Sequence, residues 1–113
     1  MKRYKPLKES LSKKYLSSLW DDTKVFVING NELRDNYETD FIGGGHGYVY
    51  PELIPKDEIW VEDMESKNDQ EEILMHEIVE WYMMKYQNKE YEEAHNIATS
   101  IERVIRHVQG IVK

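Results

Sequence analysis

The second half of the chain has apolar residues spaced three and four apart, which is the period of an amphipathic α-helix. This pattern predicts one helix over residues 70–87 and another over residues 90–109. Residues 66–69 include Ser, Asn and Asp, which are favoured at the start of a helix. Because a link of only two or three residues forces neighbouring helices to run antiparallel, residues 69–109 are predicted to form a helical hairpin.

The first half of the chain carries shorter patterns and begins with a basic segment over residues 1–20. Leu and Tyr recur there at helical spacing and Pro6 suits a first helical turn, so we predict a helix over residues 6–20. Residues 24–62 are predicted to form a small antiparallel sheet with a glycine-rich loop. The predicted parts of this sheet are a strand over 24–28, a hairpin turn at Asn29-Gly30, a returning strand over 31–35, and strands over 48–50 and 58–62.

Length and composition limit the kind of protein that these patterns describe. The 113 residues suffice for one domain, so we predict a single α+β domain over residues 1–113. No segment is long and apolar enough to span a bilayer and the N-terminus lacks the apolar run of a signal peptide, so we expect a cytoplasmic protein that does not bind membranes. The net charge of −7 argues against nucleic-acid binding, which depends on neutralising phosphates. The basic segment is a solvated surface, a contact for an acidic partner, or a contact for the acidic remainder of the same chain.

The first predicted helix contains an H-E-x-x-E sequence formed by His76, Glu77 and Glu80. The chain has no cysteine, so any metal must be held by His, Asp, Glu or backbone oxygen. Residues 76 and 80 lie one helical turn apart on the same face, so their side chains can bind one cation together. Glu77 lies about 100° round the helix, beside such a cation, where a carboxylate can take a proton from a bound water.

The second predicted helix supplies a candidate third ligand, His95. The hairpin brings this residue back to about the level of residues 76–84, and the small side chains of Ala94 and Ala98 allow the helices to approach closely. Two histidines and one carboxylate, with a fourth position open to water, are the ligand set of catalytic zinc, although another divalent metal is also compatible with them. The competing interpretation is that the histidines form ordinary ion pairs with glutamates.

Three further residues are candidates for roles around this site. Glu102 lies about two turns after His95 on the same face, so we predict that it orients a histidine through the other ring nitrogen. Tyr91 lies one turn before His95, where its hydroxyl could donate to a developing oxyanion. His46 stands among four glycines, and it is interpreted as a fourth ligand, a substrate contact or an ordinary loop residue.

The sequence H-E-x-x-E on one helix, followed by Y-x-x-A-H on the next and a glutamate further on, resembles the zincin-type arrangement of minimal gluzincins. It is also similar to short uncharacterised proteins of phage and archaeal type. Gluzincins carry H-E-x-x-H and take a glutamate from the following helix as third ligand. The resemblance covers about residues 57–105 and implies His76 as first ligand and Glu77 as general base. It implies Glu80 and His95 as the other ligands, with their residue types exchanged.

Two functions compete on these observations. The first is a zinc-dependent hydrolase, a metallopeptidase-like enzyme whose substrate is a peptide or protein, with residues 48–50 or 58–62 offering a strand edge to an extended substrate. The second is a non-catalytic regulator that binds a partner protein and uses the hairpin as a metal-stabilised or metal-free scaffold. The position of the three ligand side chains in the folded protein decides whether the first is physically possible.

Overall fold

A computed structural model describes residues 12–37 and 41–111. The chain forms a four-stranded sheet with three helices, which confirms the predicted α+β class. In the sheet the strands stand in the order β1-β2-β4-β3. The elements in chain order are β1 (Lys13–Ser18), β2 (Lys24–Ile28), α1 (Gly30–Tyr37), β3 (Gly44–His46), β4 (Glu58–Glu62), α2 (Lys67–Tyr86) and α3 (Tyr91–Ile111).

The helix predicted over residues 6–20 is wrong over residues 13–18, which form β1 antiparallel to β2. Residues 6–11 lie outside the described part of the chain. The apolar spacing that suggests a helix is overridden because β1 pairs with β2 and Tyr15 packs edge-on against Phe26, with ring centroids 6.1 Å apart. Cross-strand contacts of this kind decide strand formation more than local propensity does.

The predicted hairpin turn at Asn29-Gly30 is also wrong, because Asn29 begins α1 instead. Its side-chain oxygen accepts a hydrogen bond from the backbone N–H of Glu32 at 3.0 Å, and its carbonyl accepts from Leu33 at 3.1 Å. An asparagine is equally suited to a hairpin turn and to a helix cap, so the local sequence does not choose between them. The helix wins because it buries Leu33 completely in the core, and residues 31–35 are therefore not a strand.

The strand predicted over residues 58–62 is confirmed as β4, but its position in the sheet differs from the expectation. β4 pairs in parallel with β2 and antiparallel with β3, so the sheet is mixed and β4 has no free edge for a substrate. The long connection through α1 permits the parallel pairing, which a short hairpin would not. Because both faces of this central strand are covered, Ile59, Trp60 and Val61 are all fully buried.

The strand predicted over residues 48–50 is wrong, and the strand next to β4 is the glycine segment of β3. The backbone N–H groups of Val49 and Tyr50 bond to the carbonyl of His46, which makes residues 47–50 a turn. Glycine is required in β3 because a Cβ at Gly45 would lie 2.8 Å from the Tyr50 ring. The glycine cluster therefore allows close packing of β3 rather than forming an open loop.

The predicted helical hairpin is confirmed by α2 and α3, which pack against each other. Ser66 caps α2 by accepting a hydrogen bond from the N–H of Asp69 at 3.2 Å. Trp81 of α2 is fully buried in one apolar cluster with Val25 and Ile59 of the sheet. A second cluster of buried residues includes Ile28, Leu33, Phe41, Leu53, Ile54 and Trp60. None of the helices in the described residues has the length and apolar character needed to cross a membrane.

Candidate metal centre

Helices α2 and α3 bring the three predicted ligand side chains together. His76 and Glu80 lie one turn apart on α2, and His95 faces them from α3. The helices approach closely at this level because Ala94 and Ala98, one turn apart on α3, are completely buried. The convergence that the spacing of these residues suggests is therefore present in the folded chain.

The three side chains present one donor atom each to a common point. His76 Nε2 and His95 Nδ1 are 3.2 Å apart, and Glu80 Oε2 lies 3.1 Å from His95 Nδ1 and 3.5 Å from His76 Nε2. In a tetrahedral zinc site with bonds of about 2.0–2.1 Å, two ligand atoms lie about 3.3–3.4 Å apart. The triangle thus has the size of one face of a zinc tetrahedron, and the same distances also allow hydrogen bonds in the metal-free protein.

The electrostatic surroundings keep Glu80 ionised. Burial by itself disfavours its charged form, but hydrogen bonds from His46 and His76 outweigh burial and lower the pKa of Glu80 to about 2. In turn, the hydrogen bond with Glu80 raises the pKa of His76, against the opposing effect of burial and with support from the charge of Glu77. A carboxylate that is ionised at neutral pH is what a metal ligand requires.

Glu77 lies beside this triangle and is almost completely buried, with 8% of its surface exposed. Burial and, to a smaller extent, the neighbouring charge of Glu80 outweigh the opposing effect of His76 and together raise the pKa of Glu77 to about 8. The side chain passes close to β3, since a Cβ at Gly44 would lie 2.7 Å from Glu77 Cγ. A glycine at this position therefore leaves room for the Glu77 side chain at its Cγ.

His46, the last residue of β3, is fully buried and contacts Glu80 rather than the other two histidines. His46 Nε2 lies 2.9 Å from Glu80 Oε1, while the backbone N–H of Tyr48 donates to His46 Nδ1 at 3.2 Å. His46, Glu77 and Glu80 offer ligand atoms within 4.8 Å of one another, so they form a second group of possible metal ligands that shares Glu80. The interpretation of His46 as an ordinary loop residue does not account for these buried contacts.

Glu102 and Tyr91 lie at the margin of the centre. Glu102 Oε2 is 3.7 Å from His76 Nδ1, the ring nitrogen that points away from the triangle. The other carboxylate oxygen, Glu102 Oε1, accepts a hydrogen bond from Arg106 at 3.2 Å. Tyr91 packs against His95 with ring centroids 5.6 Å apart. Glu102 therefore stands where the sequence predicts a residue that orients a histidine, and that role stays a prediction.

The triangle opens onto a cavity of about 360 Å³ between the hairpin and β3. The wall nearest β3 is largely apolar, and the helical wall carries the acidic and imidazole groups. The lining residues are Ile42, Gly44, Val49, Tyr50, Ile73, His76, Glu77, Glu80, Tyr91, His95 and Glu102. A small molecule or an extended segment of chain could therefore reach all three donor atoms from one side.

An ion pair that the sequence pattern does not predict bonds to Phe41 and Gly43, which are chain neighbours of the cavity-lining residues Ile42 and Gly44. Arg34 of α1 donates two hydrogen bonds of 3.0 Å to the Glu62 carboxylate and one of 2.8 Å to the carbonyl of Phe41. Glu62 also accepts a hydrogen bond from the N–H of Gly43 at 3.1 Å. No pattern connects Arg34 and Glu62, which are 28 residues apart and belong to different elements.

Comparison of the chain with protein-family models, curated proteins and solved structures gave no match. The resemblance to minimal gluzincins therefore stays a prediction, and a function must be argued from the arrangement of the site itself.

Proposed function

We propose that this protein is a metal-dependent hydrolase of zinc-peptidase type, with His76, Glu80 and His95 as ligands and Glu77 as general base. The observation that carries the proposal is the triangle of donor atoms, with sides of 3.1–3.5 Å, that opens onto a cavity beside the Glu77 carboxyl group. A purely structural zinc site has four protein ligands and no such opening. Three ligands beside a cavity favour a site that also binds a substrate.

The roles of the residues follow from their positions around the cavity. A divalent ion held by the three ligands would lower the pKa of a water molecule to about 7 and polarise a carbonyl group. The charge of such an ion would lower the pKa of Glu77 from its value of about 8 in the metal-free protein. The ionised Glu77 carboxylate would then accept the proton of the attacking water and deliver it to the leaving nitrogen. Tyr91, which lines the cavity next to His95, would donate a hydrogen bond to the developing oxyanion.

A peptide is the substrate class that the surrounding strands favour. Among the described residues β3 is an edge strand, and its Gly44 lines the cavity. The N–H of Gly44 and the carbonyl of His46 are already bonded within the chain, so an extended peptide could add to this edge through the carbonyl of Gly44 and the N–H of His46. Such pairing would bring the carbonyl groups of the peptide near the ligands. In this proposal the substrate pairs with β3. The two strand edges predicted for this role do not serve, since residues 48–50 form a turn and residues 58–62 form a central strand.

The test combines metal content with activity in matched variants. Wild-type protein purified without chelator or histidine tag should hold about one zinc per chain by mass spectrometry, and it should cleave a mixture of quenched fluorescent peptides. Glu77→Gln should keep the metal and lose at least about 100-fold in rate, since a positioned base contributes about 10²–10⁴-fold. Glu71→Gln, an exposed position on the same helix, is the control and should change neither quantity. Undiminished cleavage by Glu77→Gln would remove Glu77 from the mechanism.

The second candidate is a non-catalytic regulator that binds a partner protein. One observation favours it, because the C-terminal half of α3 leaves Val104 and Val108 62% and 50% exposed. Scattered exposed apolar residues are common, but two on one helix face can form a contact for another protein. A metal-loaded wild-type protein that cleaves none of the peptides would favour this candidate. The cytoplasmic location stays a prediction in either case.

A further inference from the structure

We propose that His46 is a positioning residue that holds the Glu80 carboxylate in its ligating orientation and does not itself bind the metal. This inference rests on the proposed metal centre and deepens it. The contact that carries it runs from His46 Nε2 to Glu80 Oε1 at 2.9 Å, whereas the two ligand histidines contact the other oxygen, Oε2. Oε1 is thereby occupied, and Oε2 is the oxygen left to face His76 and His95.

The hydrogen-bond partners of His46 determine which of its nitrogens carries the proton. The backbone N–H of Tyr48 can only donate, so His46 Nδ1 must offer a lone pair to it. A neutral imidazole with a lone pair on Nδ1 carries its hydrogen on Nε2. That hydrogen points at Glu80 Oε1, a carboxylate oxygen that can only accept. Both ring nitrogens are therefore matched to their partners in this tautomer.

The same tautomer excludes His46 from the second group of possible ligands. Binding a metal through Nε2 would move the ring hydrogen to Nδ1, where it would face the N–H of Tyr48. Two donors would then oppose each other at a side chain with no exposed surface, where water cannot relieve the conflict. Although His46, Glu77 and Glu80 lie close enough together to hold an ion, the hydrogen bonding opposes it.

The glycine cluster fixes His46 in this place. His46 pairs with Ile59 in the sheet, and a Cβ on the following residue, Gly47, would lie 2.3 Å from the carbonyl oxygen of Pro55. Since that contact is with backbone atoms, no side-chain movement could relieve it. Residues 46 and 47 are therefore packed too tightly to change position, and this packing holds the His46 imidazole against the buried Glu80 carboxylate.

The first test compares two substitutions of His46 by their zinc affinity. Gln places an amide N–H₂ near the position of Nε2, whereas Leu fills similar space without a donor. Competition with a chromophoric chelator should show zinc binding to His46→Leu weakened about 10–100-fold, and to His46→Gln by less than about 3-fold. The visible spectrum of the Co²⁺ form should change in His46→Leu and be retained in His46→Gln. Wild-type zinc affinity in His46→Leu would overturn the inference.

The second test uses the wild-type protein and does not depend on the folding of any variant. Long-range ¹H–¹⁵N NMR spectra should show the hydrogen of His46 on Nε2 both without and with zinc, while the facing nitrogens of His76 and His95 change on addition of zinc. A hydrogen on Nδ1 of His46, or a zinc-induced change of its Nε2 to the shift of a metal-bound nitrogen, would overturn the inference. Wild-type protein that binds no zinc would instead refute the proposed metal centre, and zinc binding without peptide cleavage would refute only the hydrolase.

Discussion

Zinc binding is expected to raise the melting temperature (Tm) of this protein in proportion to the logarithm of free zinc. An ion that binds only the folded chain stabilises it by about 2.7 kcal/mol at 100 times its Kd, and each further tenfold of free zinc adds about 1.4 kcal/mol. For 113 residues the unfolding entropy is about 0.24 kcal/mol per degree, from roughly 2.1 cal/mol/K per residue. Tm should therefore rise by about 11 °C at 100 times Kd and then by about 6 °C per decade.

The contrast with Glu80→Gln links this rise to the triangle of donor atoms. The amide has nearly the same shape, but it lacks the charge that the pKa of about 2 maintains on Glu80 at neutral pH. We expect zinc affinity to fall at least about 100-fold, which displaces the Tm curve by two decades and removes about 11 °C at equal free zinc. Thermal unfolding followed by circular dichroism in chelator-buffered zinc measures both curves.

A control variant separates specific binding from attraction of zinc to an acidic protein. Glu93→Gln removes one charge from α3 at a side chain that is 58% exposed and whose only described ion pair is with Lys89. Its Tm should follow the wild-type curve at every zinc concentration. An equal zinc-induced rise in Tm for wild type and Glu80→Gln at every free zinc concentration would refute the assignment of Glu80 as a ligand. A wild-type Tm that zinc does not change would refute it as well.

Two further predictions concern ion pairs outside the metal centre. Arg34→Met leaves the partly buried Glu62 carboxylate without its main partner, so urea unfolding should show that the free energy of unfolding falls by about 2 kcal/mol. A fall of less than about 0.5 kcal/mol would contradict a stabilising role for this ion pair. Partial burial raises the pKa of Asp21, but hydrogen bonds led by that from Lys85 outweigh it and lower this pKa below its ordinary value. A folded-state pKa below the unfolded value of about 3.9 gives a stabilisation that is complete above that value and is lost progressively as pH falls below it. The stability gap between wild type and Asp21→Asn should therefore narrow steadily as pH falls from about 5 to about 2, and a constant gap would contradict the role given to Asp21.

The helical hairpin and the meeting of its side chains follow from local features of the sequence. The helical period, the Ser66 cap and a short link fix two antiparallel helices, and simple counting along them then brings His95 to the level of His76. No long-range information is needed for this part. The geometry of the candidate metal centre could be anticipated for the same reason.

The sheet and the surroundings of the site depend on contacts that local patterns do not encode. Asn29 can cap a helix or make a turn, and only the burial of Leu33 decides between them. The contact between His46 and Glu80 joins residues 34 positions apart, and it requires β3 to pack beside α2. The glycines on both sides of His46 mark it in the sequence as a candidate for a special role. The hydrogen-bond partner of its imidazole, Glu80, can be identified only from the folded chain.

Because α3 is held mainly by α2, a metal ion that bridges the two helices would have a mechanical role that hydrogen exchange can detect. In the described part of the chain α3 packs mainly on α2, and the ion pair between Arg106 and Glu72 is largely exposed and contributes little. Release of α3 from α2 separates His95 from the other ligands, so zinc must leave before these amides exchange by that route. At 100 times Kd, exchange in residues 91–100 should therefore slow by up to about 100-fold.

The edge strand β1 supplies the internal control for this experiment. All six residues of Lys13–Ser18 are exposed, and local fraying of this strand leaves the metal centre intact. Its exchange should therefore be unchanged by zinc, and the effect on residues 91–100 should vanish in His95→Ala. Equal slowing of β1 and α3 would mean that zinc acts on the whole molecule without bridging the helices. Unchanged exchange in α3 of zinc-loaded protein would mean that His95 is not a ligand, because a bound ion that includes His95 ties the two helices together.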